Sequence, residues 1–123
     1  MRILQNKMFF RWARTVGITD SILIKAAVEI NQGLIDANLG SSLVKKRIAR
    51  RGQGKRSGFR TIVVFQKERR TIFIYGFTKN QRDNINEHEE KALKKLARYL
   101  LDASENELKE MIANGDLYEV NHE

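Results

Sequence analysis

The chain has 123 residues, 41% of them apolar, enough for one compact core and not two. It carries no run of eighteen apolar residues, so no membrane span is expected, and no secretory signal is read at its start. It has no cysteine, which excludes disulfides and thiolate metal sites and fits a reducing, cytoplasmic setting. The net charge of +8 is concentrated. Residues 44–70 hold eleven Lys/Arg against Glu68 alone, while residues 71–123 hold seven against eleven acids. A single-sign block inside a folded domain points to an anionic partner such as nucleic acid.

Helical signals come first along the chain. Asn6 can cap a helix in which Phe9, Trp12, Ala13 and Val16 share a face and Gly17 supplies the end. Thr19 or Asp20 can cap a second, with Leu23, Ala26, Ala27 and Ile30 inward and Gly33 ending it. Residues 33–42 read as a connecting loop.

The pattern then changes to β. Val44 to Arg50 reads as a weaker strand flanking a hairpin of residues 59–66 and 71–77, both rich in β-branched and aromatic residues. If Lys67 to Arg70 form a four-residue turn, Gln66 faces Thr71 and Arg60 faces Phe77. Alternation then sets Arg60, Ile62 and Val64 on one face with Phe73, Tyr75 and Phe77, near Lys79. Phe59, Val63, Phe65, Ile72 and Ile74 would form the opposite face, apolar and covered by helices, which leaves Arg60 partly exposed on a face without helices.

Helix returns after Arg82. Asn86 with Glu89 and Ser104 with Glu107 fit capping boxes, and Leu93, Leu96, Ala97, Leu100 and Leu101 recur at helical spacing. Leu108, Met111 and Ile112 give the last helix its apolar face, and Gly115 stops it. The order predicts one α+β domain over residues 1–123, with helices packed on an antiparallel sheet.

The glycine-bearing segment 51–58 is not a nucleotide-binding loop. A P-loop needs Gly at 49 and Ser or Thr at 56, where Ala49 and Arg56 stand, and Ser57 replaces the third glycine of a dinucleotide fingerprint. Its Lys55 and Arg56 suit phosphate contact instead. His88 and His122 have no partners at ligand spacing, so no metal or cofactor is expected. Arg60 beside Tyr75 and Phe77 combines a cation with rings, a set suited to phosphate contact and base stacking.

These residues also carry a resemblance. Gly33 to Gly40, Val44 to Arg50, Gly52-Gln-Gly-Lys55, Gly58-Phe-Arg60 and Tyr75-Gly-Phe-Thr-Lys79 resemble a RelE/HigB-like branch of toxin–antitoxin toxins. The resemblance implies a RelE-like fold, with a three- or four-stranded antiparallel sheet, two N-terminal helices on one face and C-terminal helices. It implies an endoribonuclease acting on mRNA, often at the ribosome, and a co-expressed antitoxin protein covering the site. By position, Arg60 matches the arginine that contacts the scissile phosphate, and Lys79 and Arg82 match basic residues after the last strand. Lys45, Lys46 and Arg47 lie where the family places catalytic lysines, and which of them aligns stays open. Arg51 departs from a usual proline, and Asn86 stands near a usual tyrosine, leaving Tyr75 as a substitute at most.

RNA cleavage without metal needs a 2′-hydroxyl deprotonated, a phosphorane stabilised and a leaving oxygen protonated. Clustered lysines can exchange the protons, and arginine suits the phosphorane oxygens. The expected assignment is Arg60 as clamp, Lys45 or Lys46 as base, and Lys79 as phosphate contact or acid. Arg47, Arg50, Lys55, Arg56, Tyr75 and Arg82 would bind RNA. Two alternatives are a ParE-like toxin that inhibits gyrase without catalysis and a noncatalytic RNA-binding module.

Overall fold

A computed structural model of the chain describes residues 1–50 and 58–121. Residues 51–57 of the expected loop 51–58, with Lys55 and Arg56, and His122 lie outside the described residues. The elements run β1 (Arg2–Asn6), α1 (Lys7–Val16), α2 (Asp20–Asn31), β2 (Ala37–Gly40), β3 (Leu43–Ile48), β4 (Phe59–Gln66) and β5 (Arg70–Thr78). They finish with α3 (Glu87–Asp102), α4 (Glu105–Ala113) and β6 (Leu117–Glu119). Among the described residues, no helix is long and apolar enough to cross a membrane.

The four helices among the described residues start where their caps direct. Asn6, Thr19, Asn86 and Ser104 each accept a backbone N–H from the first turn, and the last two form reciprocal capping boxes with Glu89 and Glu107. Gly17 takes a left-handed φ of +80° and closes α1.

The sheet is larger and less regular than expected. Its six strands run in the order β2-β3-β4-β5-β1-β6 and it is mixed, because β1 pairs parallel to β5. The loop expected over 33–42 contains β2, an edge strand on β3. Helices also cover both faces rather than one. On one side α1 and α2 bury Phe9, Ala13, Leu23, Ala27 and Ile30 against Val44, Ile48, Phe59, Val63 and Phe73. On the other, α3 and α4 bury Ala97, Leu100 and Leu108 against Leu43, Ile62, Val64, Ile72, Ile74 and Phe77. The result is a three-layer α/sheet/α arrangement within the α+β class.

The hairpin register explains the exchange of faces. The turn has three residues, so Gln66 pairs with Arg70 and not with Thr71. Glu68 takes a φ of +61° there, and its N–H donates to Asn31 Oδ1 at 2.9 Å. The one-residue slip swaps Phe73 to the α1/α2 face and Ile72 and Ile74 to the α3/α4 face. A bulge opposite Ile62 and Val63 then absorbs one extra residue of β5, which restores the expected pairing of Arg60 with Phe77.

Candidate nucleic-acid interface

Strand alternation divides the basic residues of β3 between the two faces. Val44, Lys46 and Ile48 point to α2, whereas Leu43, Lys45 and Arg47 point to the α3/α4 side. Lys46 is 2% exposed, and its ammonium lies 2.9 Å from Glu29 Oε1 and donates to Leu34 O at 2.7 Å. It therefore lies across the sheet from Arg60. The sequence carried a signal for this, since Lys46 stands between two apolar residues at period two.

Cross-strand pairing assembles the other face into two rows. Arg47, Arg60 and Phe77 form one, and Lys45, Ile62 and Tyr75 form the next. Directly opposed residues stand about 5 Å apart at Cα, so the Arg47 and Arg60 side chains are neighbours. Arg47 is also held by Asp36, whose Oδ2 accepts the Arg47 N–H at 2.6 Å and whose Oδ1 lies 3.8 Å from Nε. No sequence pattern had singled out Asp36. Among the described residues, Lys45 is half-buried and shows no side-chain hydrogen bond or ion pair.

Arg60 corrects an expectation. It was expected to stand partly exposed on a bare face, and it is only 5% exposed. Its Nη1 donates to Gly58 O at 2.7 Å. Burial of this kind is tolerable for an arginine that keeps hydrogen-bond partners. Gly58 and Gly76 show why the Gly-Phe-Arg and Tyr-Gly-Phe blocks contain glycine. A Cβ on Gly58 would stand 2.2 Å from Ile48 O, and one on Gly76 would stand 2.1 to 2.6 Å from the Trp12 ring. Gly76 thus admits the indole on one face while Tyr75 and Phe77 serve the other.

The remaining cations separate. Lys79 is exposed just beyond β5, at the same sheet end as Arg60. Arg50 lies over the Phe59 ring at 5.5 Å, on the α1/α2 side. Arg70, at the far end of the hairpin, is 1% exposed and donates from Nη1 to Leu100 O at 2.7 Å, capping the C-terminal turn of α3. Burial, together with nearby Arg69 and Arg2, pushes its pKa down, and Glu105 opposes this. Among the described residues, the basic block is thus not one continuous patch.

Arg82 meets a carboxylate that sequence reading had assigned only to helix capping. Glu89 accepts from both Nη atoms of Arg82, Tyr75 Oη accepts from Nη1 at 3.2 Å, and Nε donates to Asn84 O at 3.0 Å. The pair holds Arg82 above its ordinary pKa and Glu89 below, the latter helped by the Asn86 N–H. His88 is exposed, and among the described residues no three His, Asp or Glu side chains converge as a metal site would require.

Comparison with curated proteins returned no match. The family model described as the RelE toxin of the RelE/RelB toxin–antitoxin system matches residues 1–120. That span takes in both sheet faces, all four helices and the two rows of Arg60 and Lys45. The chain belongs to the RelE toxin family and is a toxin of a toxin–antitoxin pair.

Proposed function

We propose that this toxin is an endoribonuclease that cuts mRNA, at the ribosome, without a metal or cofactor, and is neutralised by a cognate antitoxin protein. The observation that carries the reading is the pairing of Arg47 with Arg60, with Lys45 one row away on the same face and Lys79 at the same end. In the proposed reaction Lys45 takes the proton of a ribose 2′-hydroxyl. That oxygen bonds to the adjacent phosphorus, and the bond from phosphorus to the 5′-oxygen breaks. Arg60 faces the phosphorane oxygens, where a charged donor acts most strongly in a site that excludes water. Lys79 protonates the departing 5′-oxygen, a position from which it also contacts the phosphate. Lys45 is preferred to Lys46 as base because Lys46 is committed to Glu29 on the other side of the sheet.

Induced expression with primer extension on a reporter mRNA tests the reading. New 5′ ends should appear within the coding region and disappear when the antitoxin is co-expressed. Growth arrest with intact mRNA and damaged DNA would favour gyrase inhibition instead, and RNA bound but uncut would favour a noncatalytic module.

A further inference from the structure

An arginine has five N–H donors and no acceptor, so what it can offer a phosphate depends on how many donors are already engaged. In Arg82 the Nε donor goes to Asn84 O, and Nη1 divides between Tyr75 Oη at 3.2 Å and Glu89 Oε2 at 2.7 Å. Nη2 donates to Glu89 Oε1, which leaves that nitrogen one further N–H. The guanidinium also lies 5.7 Å from the centre of the Phe77 ring. Glu89 is fixed in turn by the start of α3, where Oε1 accepts the Asn86 N–H at 2.9 Å and the Glu89 N–H donates to Asn86 Oδ1 at 2.8 Å. A carboxylate held at a helix cap therefore neutralises and orients the cation.

We infer that Glu89 is a positioning residue that withdraws Arg82 from phosphate binding and commits it to orienting Tyr75. Tyr75 Oη accepts from Arg82, so its own proton must point away from the guanidinium. The phenol is thereby set as a donor beside the row it shares with Ile62 and Lys45. The inference rests on the RNA-cleaving reading and gives Arg82 a different part in it from direct contact with the phosphate.

Glu89→Gln is the informative change, because glutamine also serves in a capping box while the charge is lost. Binding is measured on a 2′-O-methyl oligoribonucleotide, which cannot be cut, and cleavage on the matching RNA with ribosomes supplied. Freed from its carboxylate, Arg82 should gain a phosphate, so the log–log salt slope steepens by about 0.7. With Tyr75 no longer oriented, kcat should fall about tenfold while KM does not rise. Adding Arg82→Ala to Glu89→Gln should return the slope to the wild-type value. A wild-type slope in Glu89→Gln overturns the assignment, whether or not kcat falls. A wild type that neither binds nor cuts overturns the RNA reading itself, and the inference with it. If Glu89→Gln does not fold, Arg82→Ala alone decides: an unchanged slope supports the inference, and one flatter by about 0.7 overturns it.

Discussion

Lys45 and Lys46 are consecutive, equally basic and differently placed, and the difference lies in the company each keeps. Lys46 is enclosed between α2 and the sheet, with Glu29 and the Leu34 carbonyl as partners. Removing Lys46 takes away a buried ammonium together with its ion pair to Glu29 and its hydrogen bond to Leu34 O, a loss of about 3 kcal/mol. Lys46→Ala should therefore lower stability by that amount, read from denaturant melts, and leave cleavage below the transition near wild type. Lys45→Ala should do the reverse. It should stay within about 0.5 kcal/mol of wild type, as expected for a half-buried side chain without partners, and lose cleavage. Equal effects of the two changes would refute the division of labour between the faces.

At the scale of elements, glycine placement controls how β5 meets α1. The Trp12 ring occupies the space a side chain at position 76 would need, and it packs edge-on against Phe59 at 5.7 Å between centroids. Gly76→Ala should destabilise by about 1–3 kcal/mol through overpacking, seen as a lower midpoint with an unchanged m-value. Adding Trp12→Leu should relieve part of that loss. The helices were legible because Asn6, Thr19, Asn86 and Ser104 are local signals, each satisfied within one turn of the residue that carries it. The strands β1, β2 and β6 were not. Arg2 to Asn6 gains its identity only by pairing with β5, nearly seventy positions away, and with β6, more than a hundred away, and Ala37 to Gly40 contains no β-branched residue. The bulge in β5 left no mark in the residue pattern either: the pairing of Arg60 with Phe77 agrees with expectation, whereas the face of Phe73 and the helices over the face of Arg60 do not. Glu89 was recognised as a capping residue, and that local reading hid its long-range partner.

At the scale of the molecule, the basic block proved to serve two ends. Arg70 and Lys46 hold layers together, one at the end of α3 and the other under α2. Arg47, Arg60, Lys45 and Lys79 remain at the other end of the hairpin, where β3, β4 and β5 meet the start of α3. The sheet supplies fixed spacing across three strands, so the proposed chemistry stands on rigid elements. The proposed cleavage depends on these cations and needs no metal. The most direct measurement is the rate of mRNA cleavage by purified protein on programmed ribosomes, with EDTA present at a concentration the ribosomes tolerate. Wild type is compared with Arg60→Lys, which keeps the charge but removes the two-pronged donor. Melting curves accompany both, because Arg60 is buried. Metal-free chemistry at Arg60 predicts cleavage by wild type in EDTA and a loss of about a hundredfold in Arg60→Lys, which should remain folded. Chelation that abolishes cleavage while the ribosomes stay intact, or a folded Arg60→Lys that cuts at the wild-type rate, would contradict it.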